Sequence, residues 1–407
     1  MYDVIVVGGG ASGIVAAIFA KKESNRVLVI ERNSDLLKKV LMTGNGRCNY
    51  FNEVFNKDFY FGENKDLIEK IISDNNINDV LEFFKKIGLI PKIKNGYYYP
   101  VTNQAITVKN LLIDEAKRVG VEFICDSLVT DIKKSWGKFI VSVNDVSYSS
   151  SKLVLATGSF AYPKTGSDGM GYDFLREFGH KIIKPLPGLV PLISDFKYCK
   201  DWDGIRSDCS LELFQDGVFK LREEGEVQLT KYGISGICTF NLSHLVSRGL
   251  DNGIKQVISI NFVPFIKTFI TPWMDTYSKN NPERNLNELL SGIINNKLVP
   301  IILKVSGVKG DVYYRDLDNE TKLKLCKNLK GLKINITGTK GFLNSQVCNG
   351  GLPLGEVNCS TMESKKVKGL FITGELLDIT GKCGGYNLAE CFITGMLAGR
   401  SIGDKYD

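Results

Sequence analysis

The chain begins with an alternation of apolar runs and glycines that predicts a strand, a turn, a helix and a second strand. The apolar run from Val4 to Val7 is typical of a parallel strand buried on both faces. Glycines follow this run, and apolar residues then recur at helical spacing from Ile14 to Ala20. A second strand, Arg26 to Ile30, ends at an acidic residue. The pattern therefore predicts a βαβ unit at the start of the chain.

Further along, the hydrophobic pattern changes from α/β to mainly β, then to helical, and back. The first part of the chain has predicted helices within 65–90 and over 105–119, an antiparallel meander over 128–150 and a buried strand over 152–158. The middle part has short strands of a barrel or sandwich from 189, helices over 265–330 and a strand over 331–337. The last part has a buried strand over 368–375 and a helix from 384 to about 399. We expect one α/β domain interrupted by an inserted β domain.

The glycines after the first strand have the spacing of a dinucleotide-binding turn. Gly8 permits the tight turn, Gly10 lets the backbone approach a pyrophosphate at the helix N-terminus, and Gly13 lets the helix pack close to the strand. Glu31 stands at the end of the second strand, where a carboxylate accepts hydrogen bonds from a ribose. An acid at this position argues against a 2′-phosphate, so this stretch predicts FAD or NAD and does not separate them.

A second glycine-rich segment near the C-terminus favours FAD. Gly374 and Glu375 end a buried strand, and Gly384–Asn387 opens a helix. An acid at a strand end and a helix N-terminus far from the first motif suit the ribityl chain and ring of a longer cofactor. The sequence shows no second nucleotide-binding βαβ unit, which argues against a stable NADPH site.

The segment Thr43–Asn49 has the composition of a loop that wraps a phosphate or a polar ring, although an ordinary surface turn is the alternative. Within it, Arg47 is a candidate for binding a phosphate, which we favour, or a substrate carboxylate. Tyr386 is a candidate proton donor or a packing residue, and Lys382 either raises the flavin potential or is solvated. Cys48, like Cys383, is expected to be a buried, inert thiol.

Composition excludes several other classes of protein. The formal net charge of +7 is spread along the chain without a dense basic block, so we expect no nucleic-acid partner. The ten cysteines include no C-x-x-C pair, which predicts no structural metal site, no dithiol mechanism and a reducing, cytoplasmic location. No stretch is long and apolar enough to span a bilayer, and no obligate protein partner is evident.

Several of these segments together resemble one family almost from end to end. The carrying segments are Val4–Glu31, Lys39–Asn49, Leu155–Gly158, Gly233–Gly236, Thr361–Ser364 and Gly369–Asn387. The chain resembles the bacterial flavoproteins described as aminoacetone oxidase-like or BaiN-like NAD(P)/FAD-dependent oxidoreductases. Family members often carry Thr where this chain has Cys348.

The resemblance implies a fold, a cofactor and a set of binding residues. The implied α/β fold is a Rossmann-like FAD domain built from both chain ends (1–188 and 346–407), with an inserted β-barrel (189–264 and 331–345) that carries a helical insert (265–330). The residues expected to contact FAD are Gly8, Gly10, Ala11, Ser12, Gly13, Glu31, Arg32, Thr43, Gly44, Asn45, Gly46, Arg47, Cys48, Asn49, Val129, Thr157, Gly158, Gly374, Glu375, Gly384, Gly385, Tyr386 and Asn387.

The expected activity is hydride transfer between flavin N5 and a small organic substrate, with NADH or NADPH as a transient second substrate. Reduction of a conjugated C=C bond is the leading expectation. Oxygen-dependent oxidation of an aminoacetone-type amine is the first alternative. A non-catalytic flavin-binding redox module or RNA-associated module is the second. The resemblance identifies no acid–base residue, so Arg47, Tyr386 and Lys382 stay candidates.

Overall fold

A computed structural model describes residues 1–403. The chain divides into two compact units. Unit 1 combines Met1–Leu186 with the C-terminal segment that begins at Gln346, and unit 2 is Pro187–Ser345. The division of the insert into separate barrel and helical domains stays a prediction.

The elements alternate along the chain as follows. The strands are β1 (Tyr2–Val7), β2 (Val27–Ile30), β3 (Phe51–Asn52), β4 (Tyr60–Phe61), β5 (Pro91–Lys94), β6 (Tyr97–Pro100), β7 (Glu122–Ile124), β8 (Val129–Ser135), β9 (Lys138–Val143), β10 (Val146–Leu155), β11 (Ile183–Gly188), β12 (Leu192–Ser194), β13 (Arg206–Gln215), β14 (Val218–Thr230), β15 (Gly233–Ser235), β16 (Gln256–Asn261), β17 (Leu332–Thr339), β18 (Val347–Gly351), β19 (Leu370–Ile372) and β20 (Thr380–Gly381). The helices are α1 (Ala11–Ala20), α2 (Lys38–Met42), α3 (Lys65–Ile71), α4 (Asp74–Lys86), α5 (Ala105–Val119), α6 (Met170–Glu177), α7 (Ile237–Asp251), α8 (Ile270–Lys279), α9 (Leu286–Ser291), α10 (Val299–Ser306), α11 (Asn319–Gly331) and α12 (Tyr386–Gly403).

Unit 1 is built on a seven-stranded sheet with the order β7-β2-β1-β10-β9-β8, in which β19 also pairs with β10. Strand β1 is central, since it pairs in parallel with β2 on one side and β10 on the other, with Val6 opposite Val29 and Val154. Both faces of β1 are buried from Val4 to Val7, which explains why its apolar run is continuous. The β9–β10 and β8–β9 pairs are antiparallel.

Helix α12 packs directly against α1 through glycines spaced one turn apart. A Cβ at Gly395 would lie 2.4 Å from the Ser12 carbonyl oxygen, and one at Gly399 would lie 2.6 Å from the Ala16 carbonyl oxygen. Only a hydrogen at these positions permits the backbones to approach so closely. This contact holds the C-terminal helix beside the N-terminal glycine turn, although the two are far apart in sequence.

Unit 2 contains a closed barrel with the strand order β12-β15-β14-β13-β16-β17. The sequence left a barrel and a sandwich open, and the structure contains a barrel. The apolar side chains of the barrel strands form one buried cluster with those of α7 and of the four helices between β16 and β17. Among the described residues, no helix has the length and apolarity of a bilayer span.

Two strands are longer than the sequence pattern predicts. The predicted meander strand over 147–150 and the buried strand over 152–158 form one strand, β10, whose first half pairs with β9 and whose second half lies between β1 and β19. Similarly, the runs 218–222 and 227–230 belong to one strand, β14. In both cases polar residues interrupt the apolar pattern without interrupting the hydrogen-bonded pairing.

Candidate functional site

The glycine turn between β1 and α1 leaves the start of the helix open to a ligand. Gly8 has a φ of +107°, and a Cβ at Gly13 would lie 2.0 Å from the Gly8 carbonyl oxygen, so both positions require glycine. Position 10 is different, because a Cβ there would meet no described atom within 4 Å. In the described structure no side chain caps the N-terminus of α1. Uncapped amide groups next to open space fit a pyrophosphate.

The carboxylate of Glu31 is buried beneath this turn and holds it in place. It accepts hydrogen bonds from the backbone N–H of Gly9 at 2.7 Å and of Asn33 at 2.8 Å. The Asn33 side-chain amide donates a third bond at 2.6 Å. Glu31 therefore positions the turn, while its predicted bond to a ribose stays a prediction. The neighbouring Arg32 forms an ion pair with Asp168.

The segment Thr43–Asn49 is a tight turn in which four residues have left-handed backbone conformations. Two of these are glycines, and the others are Asn45 at φ +56° and Cys48 at φ +57°. Left-handed conformations are costly for residues with a side chain, and they concentrate at binding sites. Burial raises the pKa of the Cys48 thiol to about 12, so this thiol is protonated and inert, as predicted.

The segment Gly384–Asn387 is held by hydrogen bonds of two side-chain amides and packs closely against a third. Asn387 holds the preceding turn, because its amide accepts from the Gly381 N–H at 2.8 Å and donates to the Gly381 carbonyl at 3.0 Å. Asn52 donates to the carbonyl of Gly384 at 2.8 Å. A Cβ at Gly385 would lie 2.9 Å from the Asn49 side chain. The structure thus brings the two predicted flavin-side segments together.

Tyr386 lies in an aromatic cluster, surrounded by the rings of Phe55, Phe59 and Tyr60 at centroid distances of 5.5 to 5.7 Å. Burial raises its pKa to about 12, so the hydroxyl is neutral at physiological pH. This environment agrees with the second of the two roles considered for Tyr386, that of a packing residue. The Lys382 ammonium stands over the Phe59 ring at 5.5 Å. Burial also raises the pKa of the nearby Cys383 thiol to about 11, which agrees with the predicted inert thiol.

Glu375 is engaged with a lysine that the sequence patterns did not single out for a role. Lys39 lies 2.6 Å from both carboxylate oxygens, and the Ser159 hydroxyl donates to the same carboxylate at 2.8 Å. Gly374 lies against the glycine turn, since a Cβ there would come 2.6 Å from the Ser12 hydroxyl. The ion pair therefore links α2 to the second cofactor motif.

Three further residues that were predicted to contact FAD lie just after β10 and at the start of β8. Thr157 and Gly158 follow the C-terminal end of β10, and the Thr157 hydroxyl is buried without a hydrogen-bond partner in the described structure. Val129 is buried at the start of β8, and its role toward adenine stays a prediction. Sequence reasoning missed Lys39, Asn52 and Ser159, because each acts through a partner that is distant in the chain.

Comparison with a solved structure supports the fold. The crystal structure of the 3-ketosteroid-Δ4-(5α)-dehydrogenase from Rhodococcus jostii RHA1 superimposes with a TM-score of 0.50 and 15% sequence identity. The match covers 99% of this chain and 96% of that chain. At this identity the similarity shows the fold alone, and it agrees with the predicted α/β architecture.

Sequence relatives extend along almost the whole chain. The chain is 35% identical over 404 residues to the 3-dehydro-bile acid delta(4,6)-reductase of Clostridium scindens, covering 98% of each chain. It is 25% identical over 389 residues to the ribosomal RNA dihydrouridine synthase of Escherichia coli, covering 95% of this chain and 94% of that protein. The predicted class of FAD-dependent oxidoreductase is confirmed. Residues 2–401 match the model of the HI0933-like protein Rossmann domain, and the chain therefore belongs to this family.

Proposed function

We propose that the protein uses FAD to reduce a carbon–carbon double bond that is conjugated with a carbonyl group of a small molecule. The observation that carries this proposal is the 35% identity, over 98% of the chain, to a protein whose name describes reduction of double bonds in a 3-dehydro bile acid. The cofactor cradle supports it, since the open helix N-terminus and the two joined glycine segments fit the two ends of FAD.

The reaction class follows from the chemistry of such a double bond. Bound FAD, reduced by a nicotinamide, would supply the hydride for the carbon β to the carbonyl, and a proton from solvent would complete the saturation at the α carbon. The glycine turn, together with the segment that the amides of Asn52 and Asn387 hold in place, would bind and orient the cofactor. All ten cysteines are free thiols, which supports a location in the reducing cytoplasm.

A second candidate is reduction of uridine in RNA. The C5=C6 bond of uracil is also conjugated with a carbonyl group, so the same hydride chemistry applies. One observation favours this candidate, namely the 25% identity over 389 residues to the ribosomal RNA dihydrouridine synthase. It would reverse our expectation that no nucleic acid binds.

Product analysis tests the proposal. The purified protein, loaded with FAD, is incubated without oxygen with NADH or NADPH and one of two acceptors, an enone carboxylic acid or a uridine-containing RNA. We expect the enone product to gain two hydrogen atoms by mass spectrometry. Gain of two hydrogens only in the RNA would favour the second candidate. Failure to bind FAD, or peroxide formation from aminoacetone and oxygen without enone reduction, would contradict the proposal.

A further inference from the structure

The hairpin formed by β5 and β6 presents a basic, aromatic surface at the edge of the cofactor cradle. In this antiparallel pair Lys92 stands opposite Tyr99 and Lys94 opposite Tyr97. Residues directly opposite each other point to the same face of a sheet. Tyr98 points to the other face, where its ring packs near the buried Tyr50. We call the first four residues, together with Arg47, the basic tyrosine face.

This face borders both of the predicted flavin-side segments. A Cβ at Gly384 would lie 3.0 Å from the ring of Tyr97, and one at Gly44 would lie 3.5 Å from the ring of Tyr99. The guanidinium of Arg47 stands over the Tyr99 ring at 5.4 Å, and its Nε donates to the Gly44 carbonyl at 3.1 Å. A group bound on this face is therefore next to the part of the cradle predicted to hold the isoalloxazine.

The charge of the face is not neutralised by the protein. Lys92, Lys94 and Arg47 are exposed, and none of the three forms an ion pair within residues 1–403. One carboxylate is close, since a Cβ at Gly96 in the hairpin turn would lie 3.7 Å from the Glu53 side chain. Three cations around two tyrosine rings fit an anionic group attached to a planar ring system.

The length of the basic tyrosine face favours a small anion over a nucleic acid as its ligand. Each of its strands has four residues, which at the rise of a β-strand span about 10 Å. Single-stranded nucleic acids occupy sites of roughly four or more nucleotides on proteins that bind them. A face of this length accommodates one ring system with one anionic group.

We propose that the substrate is a carboxylate-bearing conjugated carbonyl compound, and that the basic tyrosine face binds its carboxylate and ring beside Gly384. This inference rests on the proposed function, because it identifies the substrate class of the same reaction. It assigns Lys92 and Lys94 to substrate binding and leaves hydride transfer to the cofactor.

The test compares a 3-oxo-4-ene steroid carboxylic acid with its methyl ester. The dissociation constant of each compound for the oxidised FAD-loaded enzyme is read from the perturbation of the flavin absorption spectrum. Turnover is measured separately by product formation. We expect the wild-type protein to bind the acid about tenfold more tightly than the ester, and K92Q/K94Q to lose this difference. High salt is expected to weaken binding of the acid and not of the ester.

The matched control is K133Q/K138Q. These lysines lie on the β8–β9 hairpin of the same unit, which is likewise exposed and carries an exposed aromatic residue, Trp136. This variant should keep the wild-type preference for the acid. Equal binding of acid and ester by the wild-type protein, or an unchanged preference in K92Q/K94Q, would overturn the inference.

Two further outcomes are informative. The first is a single-stranded RNA that displaces the acid, binds more tightly than the acid and loses affinity in K92Q/K94Q. That result would overturn the inference, because it would identify a nucleic acid as the ligand of the basic tyrosine face. Binding of the acid without turnover would contradict the proposed function and the identification of the acid as a substrate. It would leave only the binding of an anion by Lys92 and Lys94, because binding and product formation are recorded independently.

Discussion

Glu390 is a buried acidic residue on α12, and we expect it to make the stability of the folded protein depend on pH. Glu390 is only 2% exposed, and the Thr394 hydroxyl lies 2.9 Å from its backbone carbonyl oxygen and 3.4 Å from its carboxyl group. The Thr394 hydroxyl in turn accepts the N–H of Gly374 at 3.0 Å. Burial, with a smaller contribution from the Glu375 carboxylate, raises the pKa of Glu390 from 4.5 to about 8. The folded protein therefore carries a neutral carboxylic acid here at pH 7.

The sign of the effect on stability follows from proton binding. Between pH 4.5 and about 8 the folded state retains a proton that the unfolded state releases, so stability falls as the pH rises. The slope is about 1.4 kcal/mol per pH unit, which amounts to about 3 kcal/mol between pH 5 and pH 7. Above pH 8 both states are ionised and the loss is complete. A glutamine at position 390 does not ionise and is expected to remove this dependence.

The assay is urea unfolding of the wild-type protein and E390Q at pH values from 5 to 9, followed by circular dichroism. The stability difference between them should be smallest at pH 5 and should grow up to about pH 8, with E390Q the more stable. E82Q, the same change at an exposed position of α4, should follow the wild-type curve. Parallel curves for wild type and E390Q would refute the burial of an uncharged Glu390.

Three further changes test individual contacts. Asn387→Asp removes an amide that donates to two backbone carbonyls and should weaken FAD binding by about tenfold or more in a fluorescence titration; unchanged affinity would show that this turn does not position the cofactor. Gly395→Val places a side chain against the Ser12 carbonyl and should destabilise the protein by about 1–3 kcal/mol, seen as a lower melting temperature; no shift would contradict the close crossing of α1 and α12. Cys48 and Cys383, with pKa values raised to about 12 and about 11, should resist alkylation by iodoacetamide at pH 8, and rapid labelling of the native protein would contradict the raised pKa values.

Local sequence patterns predicted the elements that hold the cofactor motifs. The strand–turn–helix of Val4–Ala20 was predictable because glycine spacing, the apolar run and helical periodicity all act within a few residues. The helix Ala105–Val119, followed by Gly120 in a left-handed conformation, was predicted with its observed bounds for the same reason.

The contacts between motifs were not predictable in this way. The Lys39–Glu375 ion pair and the bond from Asn52 to Gly384 join residues more than 300 positions apart. Nothing in the local pattern specifies such partners, because they depend on how α12 lies against α1. For the same reason the predicted end of the last helix near Gly399 was too early. Glycine commonly ends helices, but here Gly399 and Gly403 form the contact surface with α1.

The most direct test of the proposed reaction is a single turnover of the reduced flavin without oxygen. The FAD-loaded protein is photoreduced and mixed with the 3-oxo-4-ene steroid acid in a stopped-flow spectrometer, so that no nicotinamide is needed. Reduction of a conjugated double bond predicts that the absorbance of oxidised flavin returns, with one saturated product formed per flavin. A flavin that stays reduced with the enone but is reoxidised by oxygen, with peroxide formed, would contradict the proposed reaction.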